Sequence, residues 1–279
     1  MSTLYLVATP IGNLEDISAR ALRVLREVNL IAAEDTRHSG KLLKHFEIQT
    51  KLTSYYDHNK SQKLEKVLAA LDNGDVALIS DAGTPGLNDP GYLLVRAALE
   101  AGHKVSPIPG PSAPIAALVA SGLPTDKFLY MGYLPRKSHE RQQFIKAVAD
   151  HSYTLIFLES PHRLQPALED LHKVLGPRQA AVASELTKMY EDIQRGTLDE
   201  LSAYFENEPA RGEFTLVVSG ASQEKGRWSK AQLLNWLQDE LNDDAKPSSL
   251  ARQLAKDSGW PRREVYDLIT ELQKDQKES

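Results

Sequence analysis

The hydrophobic positions of this chain fall into short runs separated by longer amphipathic stretches. In the first half, four runs of strand length lack strict alternation, and they are Leu4–Thr9, Leu30–Ala33, Val76–Ser80 and Val105–Ile108. Such runs are typical of parallel strands covered on both faces. Between them, a helix face is predicted by apolar residues at helical spacing, namely Leu64, Val67, Leu68 and Leu71. Repeated strand–helix–strand units predict parallel crossovers and an α/β domain.

The same pattern restarts in the second half of the chain. A second set of strands is predicted at Phe128–Leu134, Thr154–Leu158, Ala180–Ala183 and Phe214–Val218. Helices are expected between them at 138–150, 161–175 and 198–206. The clearest loop cluster is Gly122–Lys127. The pattern therefore predicts two α/β domains, 1–122 and 123–222.

From residue 226 onward the pattern is helical only. We expect a helix from Ser229 through Leu241, then Ser248–Lys256, a turn at Gly259, and Pro261–Leu272. The last pair is compatible with a helix-turn-helix motif whose basic residues near the turn are Arg252, Lys256, Arg262 and Arg263. Residues 226–279 nevertheless carry nine Lys or Arg against ten Asp or Glu. We therefore favour a helical extension, 226–279, that packs or dimerises over one that reads nucleic acid directly.

Composition narrows the class of protein. The 279 residues are 41% hydrophobic and 25% charged, as expected for globular domains. The net charge of −5 disfavours binding of free nucleic acid through phosphate contacts alone. The chain has no cysteine, which excludes disulfides and thiolate zinc sites and suits the reducing cytoplasm. No secretory signal is visible, and the charge-free stretch Val105–Thr125 contains five prolines, so no membrane association is expected.

Three loops that follow predicted strands are rich in turn residues, and they are Thr9–Asp16, Ser80–Gly91 and Pro107–Ala113. In an open parallel sheet, ligands bind beyond the carboxyl ends of the strands. Asp81 offers a carboxylate there, Gly83 and Gly86 permit close approach of the backbone, and Ser112 offers a hydroxyl at a helix start. Each loop alone is also explained as a plain turn or cap. Together they predict a shared pocket.

Four clusters of polar residues also lie at the ends of predicted strands. They are Glu34–His38, Asp57–Asn59, Glu159–Arg163 and Glu185–Lys188. Each suits acid–base chemistry or phosphate binding, although a helix cap with a surface ion pair explains a single cluster equally well. A metal site at His38 and His58 is disfavoured because no histidine pair has ligand spacing within one helix. A serine hydrolase is disfavoured because no G-x-S-x-G turn occurs.

Taken in order, these segments resemble the tetrapyrrole methylase superfamily, and most closely its ribosomal RNA branch. The resemblance rests on Thr9–Asp16, Ala33–Arg37, Ser80–Pro85, Asn88–Gly91, Pro109–Ser112, Glu159–Arg163, Glu185–Lys188 and Gly212–Leu216. It implies two α/β domains with S-adenosylmethionine folded in the cleft between them, usually in a homodimer. Pro10–Asn13 stands in place of the glycine-rich first loop, as in the RNA branch, which argues against a porphyrin substrate.

The resemblance also implies site residues. By position, cofactor contacts fall on Ile11, Asp81, Thr84, Ser112, Leu186 and Thr215. It assigns no catalytic base, and our hypothesis is Glu34 or Asp35 as base, Arg37 on a flanking phosphate and Asn13 orienting the ribose. His58 and Glu159 are further candidates for the catalytic role, ranked after these residues.

The expected function is therefore 2′-O-methylation of a cytidine in 16S rRNA of the small ribosomal subunit. Arg136, Lys137 and Arg141 form a candidate basic patch for that substrate, or else a solvated helix start. Two alternatives stay open at this point. One is a methylase of a small molecule such as a tetrapyrrole, and the other is a ribosome-assembly factor that binds the cofactor without chemistry.

Overall fold

A computed structural model describes residues 2–55, 60–88, 91–208, 212–222, 228–240 and 247–278. The chain divides into two compact units, Met1–Ala221 and Ser222–Ser279. The first unit contains two five-stranded sheets, and the second is helical. The predicted cluster Asp57–Asn59, together with Asp89 and Pro90, lies outside the described residues.

The first sheet is entirely parallel, as predicted. Its strands are β1 (Thr3–Val7), β2 (Leu30–Ala33), β3 (Leu52–Ser54), β4 (Val76–Ile79) and β5 (Lys104–Ile108). They lie in the order β3-β2-β4-β1-β5. The last residues of neighbouring strands are in register, with Val7 beside Ile108 and Ala33 beside Ile79. The loops after β1, β2, β4 and β5 therefore leave the sheet at one edge.

Helices cover this sheet. They are α1 (Ala19–Glu27), α2 (Thr36–His45), α3 (Lys60–Asn73), α4 (Gly91–Glu100) and α5 (Ala113–Ala120). Ser18 begins α1, because its hydroxyl accepts a hydrogen bond from the Ala21 amide at 3.0 Å. That helix buries Ala21, Val24 and Leu25 against the sheet, at the spacing of one helix face. The hydrophobic pattern thus determines which side of each helix faces the core.

The second sheet is mixed. Its strands are β6 (Phe128–Tyr133), β7 (Thr154–Glu159), β8 (Gln179–Ser184), β9 (Asp192–Thr197) and β10 (Phe214–Val218), and its helices are α6 (Ser138–Lys146), α7 (Pro161–Leu175) and α8 (Leu198–Asn207). The order is β6-β7-β10-β8-β9; β6 and β7 pair in parallel and the other neighbours are antiparallel. The polar edge strand β9 was not predicted. Thr197 and Glu200 form a capping box at the start of α8.

Helix α5 connects the two sheets. It follows β5 in the chain, yet Ala117 and Leu118 pack against Ile156, Ala181 and Val217 of the second sheet. Residues 121–127 then lead into β6. The carboxyl edge of the first sheet is thereby held against the second sheet, and a cleft remains between them.

In the described part of the second unit the helices are α9 (Lys230–Glu240), α10 (Pro247–Ser258) and α11 (Arg262–Glu278). Its core is apolar and fully buried, and it consists of Leu233, Leu237, Ala251, Leu254, Val265 and Ile269. The Trp260 indole donates to the carbonyl of Trp228 at 2.6 Å, which ties the turn between α10 and α11 to the start of α9. The packing or dimerising role that the sequence favours for this extension stays a prediction. Among the described residues, no helix combines the length and the apolar composition needed to cross a bilayer.

Candidate active site

The loops after β1 and β4 are bonded to each other at the carboxyl edge. The Thr9 amide donates to the Gly83 carbonyl at 2.9 Å, and the Gly83 amide donates back at 3.0 Å. Gly83 has φ +80°, a left-handed conformation that favours glycine. This reciprocal pair of hydrogen bonds fixes the two loops to each other.

The loops after β2 and β5 are hydrogen-bonded to this pair of loops. The Asp35 amide donates to Asp81 Oδ1 at 3.1 Å, while the Asp81 amide donates to Glu34 Oε2 at 3.4 Å. The Thr84 hydroxyl donates to the carbonyl of Pro111 at 3.2 Å. Four segments that are far apart in sequence are thus held at one place.

The second domain contributes the turn that follows β8. The Asn13 amide donates to Thr187 Oγ1 at 3.0 Å, so the first loop touches this turn directly. A Cβ atom on Gly12 would collide with the Lys188 side chain, so glycine is required for this approach. Glu185 and Thr187 have φ +47° and +67°. A left-handed β-branched residue costs about 1–3 kcal/mol, and such strain concentrates at functional sites.

A cavity of about 290 Å³ lies between the two sheets, and we call it the first cavity. It is lined by all six residues predicted to bind the cofactor, namely Ile11, Asp81, Thr84, Ser112, Leu186 and Thr215. Glu34 also lines it. The fold therefore brings these residues together, while their individual roles stay predictions.

The charges of the first cavity suit a cation. Its carboxylates are Glu34, Asp81, Glu185 and Glu213. Among its described lining residues, Lys188 carries the one formal positive charge, and its Nζ lies 2.8 Å from Glu185 Oε1. The surplus of carboxylates favours a positively charged ligand such as S-adenosylmethionine, whose sulfonium and ammonium outweigh its carboxylate.

Ser112 supplies a second indication of a ligand. It stands at the N-cap of α5, but its side chain makes no capping hydrogen bond. The hydroxyl is buried and has no hydrogen-bond partner among the described residues. A buried hydroxyl left unpaired costs about 1–3 kcal/mol, so a polar ligand atom in this cavity would relieve that cost. The donor set therefore fits the cofactor that the resemblance implies.

Sequence reasoning missed two tyrosines of β6 that line the first cavity, Tyr130 and Tyr133. They are three residues apart, which alternation would place on opposite faces. A register shift between Tyr130 and Gly132 turns both toward the cleft. Burial raises the pKa of both phenols, and for Tyr133 the nearby carboxylates of Glu213 and Glu159 raise it further. Both hydroxyls are therefore protonated at neutral pH and available as donors.

The structure gives Asp35 and Arg37 a different task from the predicted one. Asp35 caps α2, and its Oδ1 accepts from the Arg37 amide at 2.8 Å while Oδ2 accepts from Arg37 Nη2 at 2.7 Å. These hydrogen bonds lower the pKa of Asp35 from 3.8 to about 2. So weak a base is unsuited to proton abstraction near neutral pH. Neither residue lines the first cavity, so we no longer propose Asp35 as base.

Three further predicted residues also have structural partners. Asn13 Oδ1 caps the 3₁₀ turn Leu14–Asp16 by accepting from the Glu15 amide at 3.0 Å. Glu159 is buried and pairs with Arg163 at 2.9 Å. Arg141, placed in a candidate basic patch, is instead buried against Asp170. Each of these side chains thus has a structural partner, and a functional role for any of them stays a prediction.

A larger cavity of about 720 Å³, which we call the second cavity, adjoins the first. The two share the wall formed by Ile11, Ser80, Asp81, Ala82, Lys188 and Glu213. The far side of the second cavity is formed by α2 through His38, Ser39, Lys41, Leu42 and His45. Within the described part of the chain, no group of three or more histidine or carboxylate side chains is arranged to hold a metal.

Comparison with known proteins agrees with this geometry. The family described as tetrapyrrole (corrin/porphyrin) methylases matches residues 3–202. Proteins named ribosomal RNA small subunit methyltransferase I are 51% identical in Escherichia coli O157:H7, over 97% of this chain and 95% of that protein, and 48% identical in Synechocystis sp., over 99% and 100%.

Solved structures agree at the level of the fold. The uroporphyrin-III C-methyltransferase of Thermus thermophilus, solved with S-adenosylhomocysteine, is 19% identical with a TM-score of 0.54, over 79% of this chain and 98% of that one. The match over residues 3–202 and the two near-full-length relatives lead to one conclusion. The chain belongs to the tetrapyrrole methylase family.

Proposed function

We propose that this protein transfers the methyl group of S-adenosylmethionine to the ribose 2′-hydroxyl of a cytidine in the 16S rRNA of the small ribosomal subunit. The near-full-length similarity to proteins named ribosomal RNA small subunit methyltransferase I carries the proposal. The first cavity supports it, because a carboxylate-rich cleft with an unpaired buried hydroxyl suits a cationic, hydroxyl-bearing cofactor.

In this proposal the chain acts chiefly by binding and orientation. When bound, the cofactor supplies an activated methyl group on a positively charged sulfur. Asp81 and Glu213 would stabilise that charge from the shared wall, while Thr84, Ser112 and Thr215 would offer hydroxyls to the polar groups of the cofactor. Holding donor and acceptor in line contributes roughly 7–11 kcal/mol toward lowering the barrier. The position of the cleft between the two sheets also limits the access of water to the reacting atoms.

Glu34 is our candidate for the general base. A ribose hydroxyl is a weak acid, so a positioned carboxylate that accepts its proton contributes roughly 10²–10⁴-fold. Glu34 lines the first cavity, and its Oε2 accepts from the Asp81 amide at 3.4 Å, which fixes the carboxylate beside the shared wall. Its neighbour Asp35 is held in the Arg37 ion pair.

The decisive experiment follows labelled methyl transfer to small ribosomal subunits from cells that lack this protein. Free 16S rRNA and a tetrapyrrole serve as parallel acceptors. We expect label in the subunit, recovered as 2′-O-methylcytidine after digestion. Label in the tetrapyrrole would instead favour the small-molecule methylase. Subunit binding without transfer to any acceptor would favour the non-catalytic factor.

A matched pair of variants tests the base. Glu34→Gln should lower kcat roughly 10²–10⁴-fold with cofactor affinity retained, whereas Asp35→Asn should change kcat little. Calorimetric titration of S-adenosylmethionine separates binding from chemistry. Equal kcat in Glu34→Gln and the wild type would remove Glu34 from the mechanism.

We also propose that the enzyme is a homodimer in the cytoplasm. Support comes from apolar side chains that are exposed on α4 and α5, namely Tyr92, Leu93, Leu99, Ile115 and Val119. Their burial against a second copy would remove this surface from water. Light scattering after size exclusion should give twice the mass of the chain, and Val119→Lys should shift that mass toward the monomer.

A further inference from the structure

We propose that the second cavity binds an RNA phosphodiester beside the target ribose, through the side chains that α2 presents to it. This inference rests on the proposed function, because it identifies where that same site holds its acceptor strand. The position of the second cavity, the charged side chains that line it and the unpaired hydroxyl of Ser39 support this inference.

The position follows from the shared wall. Ile11, Ser80–Ala82, Lys188 and Glu213 line both the first and the second cavity. A strand in the second cavity therefore lies one wall away from the methyl donor. At about 720 Å³, the second cavity is the larger of the two and falls in the range of small-ligand sites.

Acidic and basic side chains lie on different sides of the second cavity. Its carboxylates, Asp81 and Glu213, belong to the shared wall. The α2 side has no carboxylate and presents His38, Lys41 and His45. These three positions are spaced by three and four residues, so they lie on one helix face. Phosphate contacts from such a face would place the RNA backbone on the α2 side and leave the ribose toward the wall.

Lys41 is the principal cation of this face. Within the described part of the chain, its ammonium has neither an ion pair nor a hydrogen bond. Lys188, across the cavity, is already paired with Glu185 at 2.8 Å. Arg37, which the sequence had suggested for the phosphate, is paired with Asp35. Lys41 is therefore the better-placed phosphate ligand.

Ser39 provides an independent indication. It lines the second cavity and is 2% exposed, and its hydroxyl has no hydrogen-bond partner among the described residues. A serine within a helix usually bonds the backbone one turn back or reaches solvent. A phosphate oxygen at the α2 face would give this hydroxyl the acceptor that it lacks.

The experiment compares Lys41→Gln with Lys44→Gln in the full-length protein. Lys44 is exposed on the same helix but lines neither cavity, so it controls for the loss of one positive charge. Affinity for purified small subunits is measured by filter binding across a series of salt concentrations. Lys41→Gln should weaken binding several-fold and reduce the slope of log affinity against log salt by about 0.7, the value for one phosphate contact on a single strand. Lys44→Gln should leave both values near those of the wild type.

Two further readouts separate a phosphate contact from a structural effect. Lys41→Arg should restore affinity, because it keeps the positive charge. In Lys41→Gln, the affinity for S-adenosylmethionine should be unchanged while KM for subunits rises and kcat changes little. Equal affinities and salt slopes for Lys41→Gln and Lys44→Gln would overturn the inference.

Failure of this inference is distinct from failure of the proposed function. Methyl transfer by the wild type, with no difference between the two glutamine variants, would refute the phosphate site alone. If the wild type methylates no RNA, the proposed function fails, and the filter-binding comparison still decides whether Lys41 contacts nucleic acid.

Discussion

At the residue scale, Ser39 and Ser112 share one property. Each is a serine whose buried hydroxyl lacks a partner among the described residues, and each lines one of the two adjoining cavities. Buried polar groups in folded proteins are nearly always hydrogen-bonded, so each exception calls for an explanation. Binding of a ligand next to each hydroxyl explains both.

We expect Ser112→Ala to weaken S-adenosylmethionine binding without destabilising the ligand-free protein. Loss of one hydrogen bond of about 0.5–1.5 kcal/mol corresponds to roughly a two- to tenfold higher Kd. Ser121→Ala is the matched control, because Ser121 follows the same helix and its buried hydroxyl donates to Leu118 at 2.7 Å. That variant should lower the free energy of unfolding and leave Kd unchanged. Calorimetry and urea unfolding measure the two quantities, and a destabilised Ser112→Ala would contradict the prediction.

The lowered pKa of Asp35 leads to a prediction about how the stability of the fold depends on pH. Its pKa is lowered to about 2 by the hydrogen bonds from Arg37, so the ionised cap stabilises the fold above the unfolded pKa near 4 and this contribution is lost as the pH falls toward 2. Asparagine also caps helices but cannot ionise. The difference in Tm between the wild type and Asp35→Asn should be constant from about pH 5 to pH 8 and shrink below about pH 4. A difference that grows toward acid would refute this assignment.

At the element scale, the hydrophobic pattern predicted the parallel first sheet but not every feature of the second. Strand β9 contains one strongly apolar residue, Ile193, because it lies at the sheet edge, and periodicity therefore had little to detect. The antiparallel pairing of β10 was equally hidden, since a fully buried strand has the same apolar run in either direction. Tyr130 and Tyr133 were missed because a bulge, which alternation does not reveal, brings them to one face.

The bulge in β6 leads to a test at Gly132. This residue has φ +66°, and a Cβ there would lie 2.7 Å from Asn88 Nδ2, across the edge of the first cavity. Gly132→Ala should cost about 1–2 kcal/mol of unfolding free energy from backbone strain and should also displace Asn88, which weakens cofactor binding. Gly102→Ala controls for strain alone, because Gly102 has φ +81° and no atom within 4 Å of the added carbon. Thermal unfolding and calorimetry should show similar losses of Tm but loss of affinity only at Gly132.

At the scale of the whole molecule, all residues that line both cavities belong to the first unit, Met1–Ala221. The pattern of the chain indicated the change to helices near residue 226, close to the start of the second unit at Ser222. The pairing of Asp35 with Arg37 and of Arg141 with Asp170 was not predictable, because sequence alone does not tell which charges satisfy one another. The resemblance named six cofactor residues, and the fold gathers them in one cavity.

Removal of the helical unit should therefore spare cofactor binding. A chain ending at Ala221 should bind S-adenosylmethionine with a Kd within about threefold of the full-length value, since the first cavity loses none of its lining residues. Circular dichroism checks folding and calorimetry measures Kd. A truncated chain that folds but fails to bind would show that the helical unit contributes to the cofactor site.

The wall shared by the two cavities has a consequence for product release. Asp81 and Glu213 line both cavities, so in the proposed complex they would lie between the cationic donor and the RNA strand. Methyl transfer would convert the sulfonium to an uncharged thioether and release the ribose proton, so the shared wall and the bound cofactor together would carry one positive charge less. We therefore expect the methylated strand to be held less firmly than the substrate. Chemistry itself thus promotes dissociation, and we expect enzyme saturated with S-adenosylhomocysteine to bind subunits more weakly than enzyme saturated with S-adenosylmethionine.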